Sequence, residues 1–265
     1  MSPETAPSTI PTAPATMAPE NIAQSRCLVI GAASGIGRAT AERLRASGAA
    51  VVGADLPSAR WPGDQVASPL PKDSSLPMDV ADPESVRAAV SSAVRTLGGL
   101  DAVVNCAGIL GPVAPALATS VEDFERILRI NLTGAFIVSQ AVLPTMAEAG
   151  YGRLLHISST AGKEGVVNMP AYSASKAGIL GLVKSLAKEY AVSGVTVNAL
   201  APGNVVTPLF QEVPAEQQAA QAAKIPMGRF GTPAEAAALI EFIVSPAASY
   251  TTGFVFDLSG GRATY

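Results

Sequence analysis

The chain has 265 residues, of which 48% are hydrophobic, and this size and composition suit one large α/β domain with a substantial core. A formal net charge of -3 without a basic cluster argues against a nucleic-acid partner, and no apolar run reaches the ~18 residues of a membrane span. Cys27 and Cys106 lack metal-ligand spacing, so we expect reduced, buried thiols, a cytoplasmic protein and no metal site.

The first twenty residues differ in composition from the rest. Prolines recur among Ala, Thr and Ser, and no aromatic residue is present, so this segment has too little apolar surface to offset its ordering entropy. We expect residues 1–20 to form a disordered tail and residues 21–265 to form a single domain. Because no Lys or Arg precedes Arg26, a secretory signal or an Arg-rich transit peptide is not expected.

From Cys27 onward, short apolar runs typical of strands alternate with longer helical patterns. The predicted strands are Cys27–Ile30, Ala50–Ala54, Ala102–Asn105, Arg153–Ile157, Val195–Leu200 and Phe254–Asp257. The predicted helices are Ile36–Ala46, Pro83–Leu97, Val121–Glu148, Ala171–Val192 and Pro233–Val244. Prolines and a glycine interrupt Pro57–Pro77, where we expect an irregular or truncated helix. The alternation predicts a three-layer α/β sandwich with helices on both faces of a parallel sheet.

A glycine-rich segment, Gly31-Ala32-Ala33-Ser34-Gly35-Ile36-Gly37, follows the first predicted strand and opens the first helix. Glycines let the backbone turn tightly and let a pyrophosphate approach the helix N-terminus. The G-x-x-x-G-x-G spacing alone is equally compatible with an ordinary tight turn, since the fingerprint for dinucleotides is G-x-G-x-x-G. The strand–turn–helix setting favours a nucleotide site.

An acidic residue, Asp55, ends the second predicted strand, where a carboxylate can accept hydrogen bonds from both ribose hydroxyls. The same charge would repel a 2′-phosphate. Neither Ser34 nor Leu56 offers a cation for that phosphate, and we expect Arg38 to be solvated. The sequence therefore predicts NAD rather than NADP.

A tyrosine and a lysine four residues apart, Tyr172 and Lys176, would share one face of a helix. A phenol with a pKa of ~10 is a poor base at neutral pH, and a neighbouring ammonium is expected to lower that pKa. With a hydroxyl from Ser159, these groups suit proton transfer to or from an alcohol or carbonyl oxygen. Taken alone, the pair would more readily be interpreted as a surface aromatic residue and a solvated neighbour. His156, the only histidine, is expected to be a strand residue with a local hydrogen-bond partner, which argues against a Ser–His hydrolase.

The motifs together, in this order, resemble the short-chain dehydrogenase/reductase family, in its short single-domain branch. The resemblance runs from about Arg26 to the C-terminus. It rests on Gly31–Gly37, Asp79-Val80, Asn105-Cys106-Ala107-Gly108, Asn131, Ser159, Tyr172-Ser173-Ala174-Ser175-Lys176, and Pro202-Gly203 through Thr207. It implies a Rossmann-type, doubly wound sandwich with a central parallel sheet of about seven strands, and a homotetramer whose Val121–Glu148 and Ala171–Val192 helices pair between subunits.

Residue roles are also implied by the resemblance. The implied catalytic residues are Asn131, Ser159, Tyr172 and Lys176, with Ser159 chosen over Ser158 by the family spacing to the tyrosine. The implied NAD-binding residues are Gly31, Ser34, Gly35, Ile36, Gly37, Asp55, Leu56, Asp79, Val80, Asn105, Ala107, Gly108, Tyr172, Lys176, Pro202, Gly203, Val205 and Thr207. Ile30, Cys106 and Leu258-Ser259-Gly260-Gly261 depart from the family pattern, which puts turn rigidity in question rather than the reacting groups.

The substrate is expected to be a mainly apolar alcohol or ketone: an aryl, alicyclic, steroid or hydroxyacyl compound. A predicted lid, Asn204–Lys224, carries Leu209, Phe210 and Val213, and the other pocket candidates are Leu110, Val167 and Met169. Lys163 and Glu164 are either loop charges or selectors of a polar substrate group. Two alternatives remain open: a 3-oxoacyl-thioester reductase, which would normally use NADPH, and a non-catalytic NAD-sensing or scaffold protein.

Overall fold

The computed structural model of the protein describes residues 18–61, 75–206, 222–263 and 265. Most of the predicted tail and the centre of Pro57–Pro77 lie outside the described residues. So do the predicted cofactor residue Thr207 and the lid residues Leu209, Phe210 and Val213.

Seven parallel strands form one sheet in the order β3-β2-β1-β4-β5-β6-β7. Their bounds are β1 Arg26–Ile30, β2 Ala50–Asp55, β3 Ser75–Pro77, β4 Ala102–Asn105, β5 Gly152–Ile157, β6 Val195–Pro202 and β7 Val255–Leu258. The strand β3 was not predicted: the end of the Pro57–Pro77 segment pairs with β2 instead of being irregular. Pro77 is tolerated there because β3 is an edge strand with one unpaired side.

The helices are α1 Gly35–Ala46, α2 Pro83–Leu97, α3 Val121–Leu128, α4 Gly134–Ala149, α5 Thr160–Glu164, α6 Pro170–Tyr190 and α7 Pro233–Val244. Local capping explains the sharp bounds of α2 and α7. Asp82 accepts from the Glu84 N–H at the start of α2, and Thr232 and Glu235 form a capping box at the start of α7. Each of these helices has proline at its first position, where no N–H is needed.

A π-helical turn, Arg129–Thr133, divides the predicted helix Val121–Glu148 into α3 and α4. By length and hydropathy alone, the run Val121–Ala149 could cross a membrane, a test that core helices of globular proteins also pass. Half of its most apolar stretch is buried within the fold.

The two faces of the sheet carry separate apolar clusters. Leu28 and Ile30 of β1 pack on the side covered by α2, α4 and α6, whereas Cys27 and Val29 face α1 and α7. This alternation follows the two-residue repeat of a strand. It confirms the predicted Rossmann-type sandwich with helices on both faces.

Candidate active site

A cavity of about 710 Å³ lies at the carboxyl ends of the central strands. It spans the point where the strand order reverses between β1 and β4, the usual ligand position in an open α/β sheet. Its lining includes Gly31, Ser34, Gly35, Ile36, Gly37, Asp55, Leu56, Asp79, Val80, Ala107, Gly108, Ser159, Tyr172, Lys176, Pro202, Gly203 and Val205, all of them predicted site residues. Asn105 and Asn131 are outside this lining.

The glycine-rich turn between β1 and α1 requires glycine for steric reasons. At Gly31, where φ is +76°, an added Cβ would lie 3.0 Å from the backbone N of Ala107. At Gly37 it would lie 2.1 Å from the carbonyl oxygen of Gly31. Ser34 occupies the N-cap position of α1 but makes no side-chain capping hydrogen bond. A helix N-terminus that opens onto the cavity without side-chain capping suits an anionic pyrophosphate.

Asp55 lies beside this turn at the end of β2. Its Oδ2 accepts a hydrogen bond from the Ala33 N–H at 2.9 Å, and its Oδ1 accepts one from the Leu56 N–H at 2.8 Å. These two backbone donors orient the carboxylate. Arg38 instead pairs with Glu42 on the exposed face of α1. The charge and position of Asp55 therefore fit the hydroxyl-bearing ribose of a dinucleotide.

The central part of the cavity is bordered by Asp79 and Val80. Asp79 Oδ1 accepts from the Ala81 N–H, and the Asp79 N–H donates to Ser85 Oγ, each at 2.9 Å. Val80 packs against Gly134, where an added Cβ would lie 3.0 Å from Val80 Cγ2. These contacts fix the segment after β3 at the cavity wall.

The two candidate catalytic hydroxyls come from different elements. Ser159 is the N-cap of α5, and its Oγ accepts from the Ala161 N–H at 3.1 Å. Tyr172 lies near the start of α6 and lines the same cavity, where the Ser159 side chain lowers the pKa of the phenol. The neighbouring Ser158 directs its hydroxyl to the Lys176 carbonyl oxygen at 2.8 Å, so it is occupied by the backbone of α6.

Burial shifts the pKa of both Tyr172 and Lys176 towards the neutral form. It raises the pKa of Tyr172, and the Ser159 side chain lowers it to a smaller extent. Burial also lowers the pKa of Lys176 from 10.5 to about 8, although interaction with Cys106 raises it. Lys176 Nζ lies 5.7 Å from the centre of the Tyr172 ring and donates to the Ile157 carbonyl at 2.8 Å. Desolvation therefore dominates the pKa of Tyr172 among the protein's own groups, and the lowering of that pKa by the ammonium stays a prediction.

Asn131 lies in the π-helical turn and is 1% exposed. Its Oδ1 accepts from the Ile109 N–H at 2.8 Å, and its Nδ2 donates to the Ile109 carbonyl at 2.9 Å. A Cβ added at Gly108 would lie 3.1 Å from Asn131 Oδ1 and 3.2 Å from Lys176 Nζ. Asn131 thus holds the segment after β4 against Lys176. The catalytic role that the resemblance implies for Asn131 stays a prediction.

Several contributors to the cavity were not predicted as site residues. The additional lining residues include Ile30, Met78, Cys106, Ile109, Ile130, Ile157 and Ser158. Most of them directly adjoin predicted site residues along the chain, and this adjacency was the available signal. Of the predicted substrate-pocket residues, Leu110 lines the cavity, whereas Val167 and Met169 are not among its lining residues.

Lys163 and Glu164 belong to the short helix α5 and not to a loop. Lys163 Nζ pairs with Asp257 Oδ2 at 3.2 Å, and Glu164 pairs with Arg262 at 3.1 Å. The Tyr265 hydroxyl donates to the Lys163 carbonyl oxygen. The C-terminal segment therefore holds the helix that Ser159 caps.

Both cysteines are free, as expected. Burial raises the pKa of each thiol, Cys27 and Cys106, to about 12. Cys106 lines the cavity yet stays protonated at neutral pH. No group of three or more His, Cys, Asp or Glu residues that could hold a metal ion occurs among the described residues.

Comparison with known proteins places these features in a family. The family model described as "Enoyl-(Acyl carrier protein) reductase" matches residues 31–263. The chain is 41% identical over 244 residues to 2-dehydro-3-deoxy-L-rhamnonate dehydrogenase (NAD(+)) of Sphingomonas sp. (strain SKA58), covering 91% of this chain and 96% of that protein. It is 40% identical to cis-4-hydroxycyclohexanecarboxylate dehydrogenase of Sinomonas cyclohexanicum, covering 91% and 98%.

Solved structures show the same likeness. Levodione reductase superposes with a TM-score of 0.79 at 32% identity, covering 90% of this chain and 98% of that one. The matching family model, the relatives and the seven-stranded fold agree with the motif order in the sequence, and on this evidence the chain belongs to the short-chain dehydrogenase/reductase family of nicotinamide-dependent oxidoreductases.

Proposed function

We propose that the protein is an NAD-dependent dehydrogenase that interconverts a secondary alcohol and a ketone. One observation carries this proposal: Ser159, Tyr172 and Lys176 line the same cavity as the glycine-rich turn and Asp55. A candidate proton-transfer group and a candidate dinucleotide-binding turn thus share one cavity. Gly31, Gly37 and the N-terminus of α1 would hold the pyrophosphate, and Asp55 the adenosine ribose.

The chain's own residues would handle the substrate oxygen and its proton. Ser159 would hydrogen-bond the oxygen. Ionised Tyr172 would take the proton of the alcohol, and neutral Tyr172 would return it to the ketone oxygen. A bound oxidised nicotinamide would accept the hydride and add a positive charge to the cavity. Bringing a phenol from ~10 to ~7 requires about 4 kcal/mol of differential stabilisation. Because burial of Tyr172 opposes this shift, we infer that the phenol ionises only when positive charge is added to the site.

The preference for NAD over NADP is part of this proposal. It is supported by the oriented carboxylate of Asp55 and by the engagement of Arg38 with Glu42. A 2′-phosphate beside Asp55 would meet like charge. One relative's name also specifies NAD(+).

The substrate that we propose is a mainly apolar cyclic or aryl secondary alcohol. Two relatives are named for the oxidation of ring alcohols: the cis-4-hydroxycyclohexanecarboxylate dehydrogenase and, at 37% identity, the cyclohexanol dehydrogenase of Acinetobacter sp. (strain SE19). The described lining of the cavity includes the apolar residues Ile109, Leu110 and Ile157. We further propose that residues 21–265 act as one domain, in a cytoplasmic homotetramer, which light scattering of the purified protein would test.

A 3-oxoacyl-thioester reductase is the second candidate. It is favoured by a relative named 3-oxoacyl-acyl-carrier-protein reductase FabG of Thermotoga maritima, 37% identical over 242 residues. Preference for NADPH with acetoacetyl-CoA over NAD with cyclohexanol derivatives would select this alternative.

The decisive experiment combines a substrate screen with Tyr172→Phe. Wild type is assayed with cyclic alcohols and ketones and both cofactors, following absorbance of the reduced nicotinamide. We expect Tyr172→Phe to lower kcat by at least about 100-fold, the lower range for loss of a general acid or base. Binding of NADH, read by energy transfer from Trp61, the only tryptophan, should be retained.

The matched control is Tyr190→Phe, at the far end of the same helix, which should leave kcat unchanged. Turnover by Tyr172→Phe within tenfold of wild type would contradict the assignment of the acid/base. Binding of NADH without turnover of any alcohol would instead support the non-catalytic, NAD-sensing alternative.

A further inference from the structure

His156, the only histidine of the protein, lies at the centre of a buried series of hydrogen bonds. It is on β5 and fully buried. Its Nδ1 is 3.2 Å from Asn105 Nδ2 on β4, and its Nε2 is 2.9 Å from Ser139 Oγ on α4. This series of hydrogen bonds continues at both ends. The Ala107 N–H donates to Asn105 Oδ1 at 3.2 Å, and the Ser139 hydroxyl donates to the Ala135 carbonyl oxygen at 2.8 Å.

Backbone groups at the two ends fix the direction of every hydrogen bond. An N–H can only donate, so the Asn105 oxygen faces Ala107 and the Asn105 amide nitrogen donates to His156 Nδ1. A carbonyl can only accept, so the Ser139 proton is committed to Ala135, and Ser139 Oγ is left to accept from His156 Nε2. One arrangement satisfies all members: a neutral imidazole with its proton on Nε2.

We propose that His156 is a positioning residue for the cofactor cavity, a neutral Nε2–H imidazole that orients Asn105 and thereby holds the Ala107 N–H in place. It does not line the cavity, so it is not a catalytic residue. The part of this inference that concerns the cofactor rests on the proposed function.

The position of Ala107 matters because the segment Ala107–Gly108 is closely packed on two sides. It lies against Gly31 of the glycine-rich turn, where an added Cβ would be 3.0 Å from Ala107 N. The next residue, Gly108, lies between Asn131 and Lys176. A reversed Asn105 amide would present its NH₂ group to the Ala107 N–H, so two donors would face each other and the segment would shift.

The charge state of His156 is consistent with this role. Burial, and secondarily Lys176, lowers its pKa from 6.5 to about 3. An imidazolium would place a donor against the Asn105 amide, whose nitrogen also donates. The neutral ring is therefore required across the pH range in which such an enzyme works.

Nuclear magnetic resonance of the untagged protein tests the tautomer directly, because a ¹⁵N-histidine-labelled chain contains a single imidazole. We expect a protonated Nε2, an unprotonated Nδ1, and no titration of the ring between pH 8 and pH 5. An Nδ1–H tautomer, or an imidazolium at pH 6, would overturn the proposal. This measurement needs no cofactor, so it stands even if the protein does not bind NAD.

Variants test the positioning itself. His156→Leu removes both ring nitrogens, whereas His156→Gln keeps one acceptor and one donor. We expect His156→Leu to speed amide hydrogen exchange at Ala107 at least about tenfold and to raise the NADH dissociation constant about tenfold, the usual effect of leaving one buried polar group unpaired. His156→Gln should recover most of both losses.

Ser139→Ala provides a second test in case His156→Leu does not fold. It removes the hydroxyl that accepts from His156 Nε2 and that lies outside the cavity lining. It should also speed amide hydrogen exchange at Ala107. Ser91→Ala, at an exposed position of α2, is the matched control and should change neither quantity. Wild-type exchange at Ala107 in folded His156→Leu, or in Ser139→Ala if the former is unfolded, would overturn the proposal. Failure of wild type to bind NADH, with altered exchange in the variants, would refute the proposed function alone.

Discussion

Lys176 is a lysine in an environment that opposes its charge. It is 4% exposed, and burial lowers its pKa from 10.5 to about 8. A shift of this size corresponds to about 3 kcal/mol of cost for holding the charged form. The unfolded chain binds this proton more tightly than the folded chain, so this group makes the free energy of unfolding rise with pH between about 8 and 10.5. The residue that the proposed chemistry needs is therefore one that the fold accommodates at a cost.

Replacing Lys176 by methionine should thus stabilise the protein while removing activity. We expect Lys176→Met to raise the free energy of unfolding by about 2 kcal/mol at pH 7, because about 1 kcal/mol is lost with the hydrogen bond to Ile157. The gain should shrink as the pH approaches 10, where the wild-type lysine is neutral when folded. Denaturant unfolding of wild type and Lys176→Met at pH 7 and pH 10 measures this difference in the free energy of unfolding. Lys184→Met, at an exposed position on the same helix, is the control, and a less stable Lys176→Met at pH 7 would refute the explanation.

The helices whose bounds the sequence predicts correctly are those with local start signals. The bounds of α2 and α7 were predicted without error, since Asp82-Pro83 and Thr232-Pro233 carry their own start signals. β3 was missed because three residues ending in a proline form a strand only through pairing with β2. The π-helical turn was missed because Arg129–Thr133 continues an ordinary helical pattern.

The helix α5 was missed for a related reason, since five residues carry almost no helical periodicity. It is held by partners far along the chain: Asp257 lies 94 positions from Lys163, and Arg262 lies 98 positions from Glu164. No local pattern reveals such pairs. The same pairs explain why charges that could have been substrate selectors instead serve the position of Ser159.

The two ion pairs that hold α5, Lys163–Asp257 and Glu164–Arg262, should affect catalysis more than cofactor binding. Lys163 has a side chain only 4% exposed, so Lys163→Met keeps its packing and removes its ion pair with Asp257. We expect kcat to fall severalfold because Ser159 caps the loosened helix, whereas the NADH dissociation constant should not change. Steady-state kinetics and titration with NADH separate the two effects, with Lys184→Met again as control. Equal losses in both quantities would indicate general destabilisation instead.

At the scale of the whole molecule, the sheet order explains why residues distant in sequence form one site. The cavity receives the ends of β1, β2, β4, β5 and β6, which come from positions as far apart as Ile30 and Pro202. The order of motifs along the chain was enough to predict this convergence. Sequence could not predict the balance of desolvation and charge at Tyr172, which depends on how completely the fold encloses it.

The raised pKa of both thiols has a practical consequence for experiments on the intact protein. Because Cys27 and Cys106 each have a pKa of about 12, almost no thiolate is available near neutral pH. Ellman's reagent should therefore detect no free thiol until the chain is denatured, when two should appear; rapid reaction of the native protein would show that the fold opens. A cysteine introduced on the exterior would then accept a fluorophore or spin label alone, without prior removal of the natural ones.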